Sequence, residues 1–191
     1  PLILIPAAGA SRRMRGADKL LQHIDGEPLL RRQAARAAAT GWPVVVSLGA
    51  DHDARLRALR GLDVAHARVD GAEGMAASMR CGCRLALEAK RPLMVVLPDM
   101  PDLSSDDLRS FGQRCMIAAD RVNRAASEAG APGHPVWLPW RVLAGAEALH
   151  GDQGAKPLLQ GETLRLVPLP GTRALTDLDT PEAWAAWRSR P

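Results

Sequence analysis

The sequence predicts an α/β fold built on a mostly parallel sheet. Short apolar segments alternate with longer amphipathic segments along the chain, which is the pattern of strands joined by crossover helices. One segment, Leu93–Leu97, is apolar throughout, as is typical of a strand buried on both faces of a parallel sheet. The 191 residues, 47% of them hydrophobic and 24% charged, suit one domain over residues 1–191 with a substantial core.

In the first half of the chain, strands and helices are predicted in alternation. The first helix opens with a proline and is followed by Gly41 just past its end, an arrangement typical of helix boundaries. The strands are predicted at Leu2–Ile5, Pro43–Leu48 and Leu62–Ala67, and the helices at Pro28–Ala39, Asp51–Leu59 and Gly74–Ala89.

The second half begins with the Leu93–Leu97 strand. The helix that follows has Ser104 or Ser105 available to cap its first turn, ahead of two aspartates. The next residues are rich in Gly, Pro and Trp and are predicted to be irregular. These elements are predicted at Ser104–Met116 (helix), Val122–Pro139 (irregular), Trp140–Leu149 (helix), after Gly151 (short helix), Thr163–Pro168 (strand) and Pro181–Arg188 (helix).

The composition favours a small anionic ligand over nucleic acid or membrane. The net charge is +4, but the chain has no Tyr and a single Phe, so it lacks the aromatic platforms on which nucleic-acid binders stack bases. The longest apolar segments are too short to span a bilayer. Three cysteines without zinc-like spacing, and an N-terminus without a secretory leader pattern, lead us to expect a reducing cytoplasm.

The loop after the first strand has the properties of a phosphate-binding loop. Small residues let the backbone approach a ligand closely, successive N–H groups can form an anion site, and hydroxyl, guanidinium and ammonium groups can reach phosphate oxygens. The loop is neither a Walker loop nor a G-x-G-x-x-G turn, and a solvated basic turn is the alternative. The candidate residues are Ala7, Ala8, Gly9, Ser11, Arg13 and Lys19.

Other loops carry candidates for metal and substrate binding. Asp99 ends the most apolar strand and can hold Mg²⁺, or can simply cap a turn between two prolines. Asp177 and Asp179 alternate along an extended stretch and therefore point the same way. Gly74 opens a helix whose N-terminus can face a nucleotide. His134 can donate to a substrate or to a loop carbonyl.

The order of residues in the first loop resembles a family signature. The string A-A-G-x-S-x-R-M followed by D-K-L resembles the loop of the MobA-like nucleotidyltransferases, which include the cytidylyl- and guanylyltransferases of molybdenum cofactor synthesis. Further segments resemble the family in the same order along the chain. They are G-M-x-x-S at residues 74–78, D-x-P at 99–101, G-H-P-V at 133–136, G-D-x-G-A at 151–155 and D-x-D-T-P-E at 177–182.

The resemblance implies a role for each candidate. It places Asp99 and Asp179, with Asp177 as the substitute, at a Mg²⁺ site, and it places His134 and Lys156 on the acceptor side of the cleft. Arg13, Lys19 and Asp99 would carry the catalysis. The sequence departs from the family pattern at Pro6, Arg15 and Lys156, the last replacing an Arg. The implied nucleotide-binding residues are Ala7, Ala8, Gly9, Ser11, Arg13, Lys19, Gly74 and Ser78.

The resemblance also implies a fold and a reaction. The fold would be a three-layer α/β/α sandwich with a mainly parallel, Rossmann-like sheet. The reaction would move a nucleoside monophosphate from a triphosphate to a phosphorylated acceptor, with molybdopterin-bound molybdenum as the acceptor, pyrophosphate as the product and a molybdoenzyme as a candidate partner. Ala7-Ala8-Gly9 favours CTP, because GTP users tend to carry Ala-Gly-Gly. The alternatives are a guanylyltransferase, a sugar-phosphate nucleotidyltransferase, or a non-catalytic nucleotide- or cofactor-binding chaperone.

Overall fold

The computed structural model of the chain describes residues 1–9, 14, 16–50 and 52–190. Within them, seven strands form one sheet in the order β5-β4-β1-β6-β8-β7-β9, and two short strands form a separate antiparallel ribbon. The sheet strands are β1 (Leu2–Ala7), β4 (Val44–Leu48), β5 (Ala65–Arg68), β6 (Leu93–Val95), β7 (Asn123–Ala126), β8 (Pro132–Leu138) and β9 (Arg165–Pro168), and the ribbon strands are β2 (His23–Ile24) and β3 (Glu27–Pro28).

Five α-helices and four 3-10 helices accompany the sheet in the described residues. The α-helices are α1 (Leu29–Ala38), α2 (Asp53–Ala58), α3 (Met75–Glu88), α4 (Ser105–Met116) and α5 (Pro181–Arg188), and the 3-10 helices are Lys19–Leu21, Gly71–Glu73, Trp140–Ala148 and Lys156–Leu159. The segment predicted as a helix over Trp140–Leu149 is therefore a 3-10 helix. No helix in these ranges is both long enough and apolar enough to pass through a bilayer.

Helices cover both faces of the sheet and confirm the three-layer prediction. On one face, α1 and α4 bury residues such as Leu30 and Phe111 against Ile3 and Ile5 of β1. On the other face, α3 and the 3-10 helix Trp140–Ala148 pack against residues such as Leu4. Because successive side chains of a strand point to opposite faces, every residue of β1 is buried, which explains its apolar sequence.

The order of the parallel strands creates a switch point beside β1. The chain leaves β1 through α1 and returns in β4 on one side, and α3 then carries it across to β6 on the other side. Ligands of open α/β sheets bind at such a point, beyond the carboxyl ends of the two strands. The residues that follow β1 and β6 are thereby brought next to each other.

The structure differs from the sequence prediction in residues 122–139. This stretch was predicted to be irregular, but it contains β7 and β8, and β8 runs antiparallel to its neighbours β6 and β7. The pairing of β8 with β6 uses only Val136–Leu138, past Pro132 and Pro135, and the ladder with β7 is irregular before that point. Pro135, which lacks the N–H that a ladder needs, thus lies where the register between β7 and β8 shifts.

The C-terminal segment returns to the switch point. Trp184 of α5 and Leu178, which precedes the helix, pack against Ile24 and Leu29, which follow the first loop. Thr180 caps α5 through its hydroxyl, which accepts a hydrogen bond from the Ala183 N–H, and Pro181 occupies the first helical position as predicted. The backbone N–H of Leu178 donates to the Asp99 carbonyl at 3.0 Å, so residues 177–179 lie beside the end of β6.

Candidate active site

A cavity of about 490 Å³ lies at the carboxyl ends of β1 and β6. This volume is within the range of pockets that hold small ligands. Its walls come from five stretches that are distant in sequence, namely the first loop, the loop before α3, the turn after β6, the segment at 151–152 and the segment at 177–179. The lining residues are Pro6, Gly9, Lys19, Leu20, Gly71, Ala72, Gly74, Met75, Leu97, Pro98, Asp99, Gly151, Asp152, Asp177 and Asp179.

Lys19 joins two carboxylates in this cavity. Its Nζ atom donates to Asp99 Oδ2 and to Asp179 Oδ1, each at 2.5 Å. The side chains are largely buried, with 18% of Lys19, 9% of Asp99 and 24% of Asp179 exposed. The three residues predicted to carry catalysis and metal binding on this side of the cleft are therefore in direct contact.

Burial and charge shift the pKa values of this cluster. Burial by itself lowers the pKa of Lys19, but the two carboxylates outweigh it, so the pKa lies above its usual value and the amine is protonated. Burial raises the pKa of Asp99 and outweighs the opposing effect of Lys19, while the neighbouring charge of Asp179 raises it further. Two carboxylates held this close need a cation between them.

Local structure fixes the position of Lys19. The Asp18 carboxylate accepts a hydrogen bond from the Leu20 N–H at 3.0 Å and caps the 3-10 helix that begins at Lys19. Leu20 is 2% exposed and anchors this turn in the core. The D-K-L string therefore has a physical role at each position, as cap, charge and anchor.

The turn that carries Asp99 is held by side chains of α1. Gln33, which is fully buried, donates a hydrogen bond to the Met100 carbonyl. Arg36 Nη1 donates to the carbonyls of Pro101 and Leu103 at 2.6 and 2.8 Å. These contacts, together with the Leu178 N–H on the Asp99 carbonyl, hold the backbone at Asp99 and in the residues that follow it.

The other nucleotide-binding candidates have different positions. Ala7 and Ala8 are buried at the end of β1, and Gly9 is exposed at the cavity. Gly74 lines the cavity with φ +66°, and a methyl group there would overlap the Asp152 carboxylate. Ser78 is buried within α3 and does not line the cavity. Ser11 and Arg13 lie outside the described residues, and their roles stay predictions.

The N-terminus of α3 is already hydrogen-bonded. The Met75 N–H donates to Asp152 Oδ1 at 3.3 Å, and the Ala76 N–H donates to the Gly151 carbonyl at 2.9 Å. The 151–152 segment therefore contacts the helix start that was predicted to face a nucleotide.

The two acceptor-side candidates are not cavity-lining residues. His134 lies two residues before Val136, which pairs with Val95, and so it flanks the carboxyl end of β6. Burial, with a smaller effect of Arg124, lowers the pKa of His134 to about 4, so its ring is neutral at neutral pH. Lys156 is exposed at the start of the 3-10 helix that follows the 151–152 segment.

Trp137 and Trp140 flank this region in sequence but differ in burial. Trp137 is fully buried and donates its ring N–H to the Ala119 carbonyl at 3.2 Å, whereas Trp140 is 54% exposed. Trp137 therefore has a packing role.

Sequence reasoning missed the residues that hold the two loops. Arg55 of α2 is 1% exposed and contacts both ends of the first loop, and Gln33 and Arg36 hold the Asp99 turn. An Arg or Gln on a helix is usually solvated, so composition alone gives no sign of burial. The only available signal was their place on the crossover helices next to the two loops.

The donor set suits a hard divalent cation. Asp99 Oδ1 is buried and has no hydrogen-bond partner among the described residues, which leaves an anionic oxygen available at the cavity. Within the same residues no group of three or more His, Cys, Asp or Glu forms a complete metal cage. Mg²⁺ is commonly held by one or two carboxylates, with phosphate oxygens and waters completing the shell, so Asp99 and Asp179 fit that arrangement.

Solved structures of other proteins share the fold of this chain. A crystal structure of Rv0371c from Mycobacterium tuberculosis H37Rv matches with a TM-score of 0.78 and 25% identity, over 100% of this chain and 98% of that one. A structure of Rv0371C in complex with manganese matches with a TM-score of 0.79 and 22% identity, over 99% of this chain and 98% of that one.

A curated relative is closer in sequence. The molybdenum cofactor guanylyltransferase of Bradyrhizobium sp. (strain ORS 278) is 31% identical over 150 residues, which cover 77% of this chain and 69% of the relative. The model of the MobA-like NTP transferase domain matches residues 3–167. These matches span most of the chain, and it therefore belongs to the MobA-like NTP transferase family and is a nucleotidyltransferase.

Proposed function

We propose that the protein transfers a nucleoside monophosphate from a nucleoside triphosphate to a phosphorylated acceptor and releases pyrophosphate. The observation that carries this proposal is the contact of Lys19 with Asp99 and Asp179 in a cavity at the switch point of the sheet. Charged groups of both signs converge there from residues up to 160 positions apart. Such a cluster suits a phosphate chain together with a divalent cation.

The transfer requires one bond to form and one to break. An oxygen of the acceptor phosphate attacks the α-phosphorus of the triphosphate in line, the bond from that phosphorus to the bridging oxygen breaks, and pyrophosphate leaves with the electron pair. The acceptor phosphate is already ionised, so no side chain needs to act as a covalent nucleophile. Lys19 presents a fixed positive charge to the phosphates, and the loop after β1 holds them in position.

Asp99 and Asp179 would hold the divalent cation. When bound, Mg²⁺ neutralises charge on the phosphate oxygens as the transfer proceeds. Asp99 offers the buried oxygen Oδ1, and Asp179 is held near it through the backbone of Leu178. Asp177 is an exposed neighbour at the rim, and we favour Asp179 because it touches Lys19.

We propose CTP as the donor. The support is the Ala7-Ala8-Gly9 string, which resembles the cytidylyl branch of the family. Ala8 is 4% exposed, and its carbonyl lies 3.0 Å from where a methyl group on Gly71 would be, so the backbone approaches closely here. GTP is the competing donor, and it is favoured by the name of the Bradyrhizobium relative.

The proposed acceptor is the phosphate of a molybdopterin-type cofactor. The same relative is named for the molybdenum cofactor, and G-H-P-V at residues 133–136 resembles the acceptor side of the family. A neutral His134 near the end of β6 can donate one hydrogen bond and accept another, which suits a heterocycle better than it suits a second phosphate charge.

Binding and turnover test the proposal separately. The melting temperature is measured with CTP, GTP, ATP or UTP, each with Mg²⁺, and pyrophosphate release is then measured with the preferred triphosphate and a molybdopterin acceptor. We expect CTP to raise the melting temperature most, and we expect release that depends on the acceptor. Binding without any release would favour the chaperone alternative, and no response to any triphosphate would reject the proposal.

A pair of matched variants tests the site itself. Asp99→Asn keeps the shape of the side chain but removes the charge, and we expect it to abolish pyrophosphate release while the protein stays folded. Asp63→Asn makes the same change at an exposed position away from the cavity and should release pyrophosphate at the normal rate. Near-normal release by Asp99→Asn would remove Asp99 from the metal site.

A further inference from the structure

Arg55 connects the two ends of the loop that follows β1. Its guanidinium group is almost completely buried, with 2% of the side chain exposed. Nε and Nη2 donate to the two oxygens of Asp18 at 2.7 and 2.8 Å, and Nη1 donates to the carbonyls of Ala7 and Gly9, each at 2.7 Å. One side chain thus holds the loop where it begins and where it ends.

Both ends of this loop lead directly to the cavity. Gly9 lines the cavity, and Asp18 precedes Lys19 and caps the 3-10 helix that begins there. A shift of Asp18 would therefore move the ammonium group that contacts Asp99. The distance between Gly9 and Lys19 across the loop is fixed through Arg55, which itself does not line the cavity.

The same contacts also direct backbone oxygens away from the ligand. A carbonyl oxygen that faced a phosphate would repel it, because both are hydrogen-bond acceptors. The carbonyls of Ala7 and Gly9 are instead bonded to a guanidinium group outside the cavity wall. The two described ends of the loop are therefore held in place before an anion binds, which lowers the entropic cost of binding.

We propose that Arg55 is a positioning residue for the triphosphate, acting through the first loop and Lys19 without touching the nucleotide. This inference rests on the proposed function, because it takes the loop to be the phosphate-binding element. A fork-shaped guanidinium is needed, since the four hydrogen bonds go to a carboxylate on one side and to two carbonyls on the other. An ammonium group in its place has neither the reach nor the planar geometry to make them together.

Arg31 provides a matched comparison for the merely structural role. Its Nη1 donates to the carbonyls of Ala58 and Arg60 at 2.9 and 2.8 Å, which ties α1 to the far end of α2. It resembles Arg55 in bonding two backbone carbonyls, but among the described residues it makes no hydrogen bond to the loop after β1. A change at Arg31 should affect stability and leave the phosphate site intact.

The test compares Arg55→Lys with Arg31→Lys in the whole protein. Affinities for CTP, CMP, GTP and GMP with Mg²⁺ are measured by calorimetry, after circular dichroism has shown that each variant is folded. For Arg55→Lys we expect triphosphate affinity to fall about tenfold or more, because a displaced loop loses its preorganisation, and monophosphate affinity to change by less than about threefold. Arg31→Lys should bind all four nucleotides as the wild type does.

Several results would overturn the inference. They are wild-type triphosphate affinity in Arg55→Lys, an equal loss for triphosphate and monophosphate, or the same loss in Arg31→Lys. If Arg55→Lys does not fold, Asp18→Asn decides the matter, because it weakens the same contact from the other partner and should show the same selective loss; wild-type binding by Asp18→Asn would reject the inference. A wild-type protein that binds no triphosphate would reject the proposed function and this inference together.

Discussion

Replacing Lys19 with Met should have opposite effects on metal binding and on triphosphate binding. Methionine has nearly the same length as lysine and carries no charge, so the change removes the ammonium group with little change in packing. In the structure that group lies 2.5 Å from both Asp99 Oδ2 and Asp179 Oδ1, between carboxylates that would otherwise repel each other. Lys19 therefore occupies the position in which a divalent cation is favoured.

The size of the effect follows from the burial of the cluster. The three side chains are between 9% and 24% exposed, so breaking these ion pairs should destabilise the protein without metal by about 3 kcal/mol. For a chain of this size that corresponds to a fall in melting temperature of roughly 6–12 °C. At an effective dielectric constant of about 20, an ion pair of this kind contributes about 4 kcal/mol. If only about a third of this energy opposes the binding of a cation, its removal strengthens cation affinity about tenfold.

The assay measures Mn²⁺ affinity by calorimetry and melting temperature with and without Mn²⁺, in both cases without nucleotide. We expect Lys19→Met to bind Mn²⁺ at least about tenfold more tightly than the wild type and to regain most of its lost stability when Mn²⁺ is added. Triphosphate affinity should fall, because a charge facing the phosphates is gone. Lys90→Met changes an exposed lysine and serves as the control.

An Mn²⁺ affinity of Lys19→Met equal to or below that of the wild type would contradict this expectation. That result would mean that Lys19 and the cation do not compete for the carboxylates. Weaker binding of Mn²⁺ and triphosphate in parallel would instead indicate a general collapse of the cavity, which the melting curve with Mn²⁺ would show as unrecovered stability.

Three further changes have defined outcomes. Burial lowers the pKa of His134 to about 4, so as the pH falls the unfolded chain takes up this proton before the folded protein does. The contribution of neutral His134 to the free energy of unfolding is therefore complete above pH 6.5, and about 3 kcal/mol of it is lost by pH 4. His134→Gln should remove this loss, as measured by denaturant titrations at pH 7 and pH 4. Gly133→Ala would place a methyl group against the Ala174 carbonyl oxygen and should lower the free energy of unfolding by about 2 kcal/mol or more. The control, Gly130→Ala, is at an open position and should lower it less, because only the positive φ of Gly130 opposes the change. Ala8→Gly should raise GTP affinity relative to CTP affinity in competition experiments, and an unchanged ratio would separate this position from base selection.

The parallel half of the fold could be predicted from sequence because its strands are buried on both faces. Every residue of β1 and β4 is buried, so apolar character is required at successive positions and is visible in the sequence. Strand β8 has no such mark, since Pro132 and Pro135 interrupt the pattern, and its partners β6 and β7 are fixed only by tertiary packing. The exposed edge strand β5 begins at Ala65, later than its predicted start at Leu62.

The candidate site was predictable where a residue stands at a strand end, and not where it acts through packing. Asp99 follows an apolar strand and Lys19 follows a short glycine-containing loop, so their positions indicated a function. The pairing of Lys19 with Asp179 spans 160 positions and depends on α5 returning to the sheet, which residue spacing alone does not reveal. Arginine is a residue type usually found at the surface, so only the structure shows that Arg55 is buried.

The charge balance of the cluster bears on the order of binding. Lys19, Asp99 and Asp179 together carry a net charge of −1 when all are ionised, so a free divalent cation gains less there than at two uncompensated carboxylates. A triphosphate that already carries a divalent cation brings that cation to the carboxylates together with its own negative charge. Its oxygens can then accept hydrogen bonds from the Lys19 ammonium group, which the cation displaces from the carboxylates. The geometry therefore favours joint binding of metal and nucleotide over binding of the metal first, and the tighter Mn²⁺ binding expected of Lys19→Met is the consequence of removing that coupling.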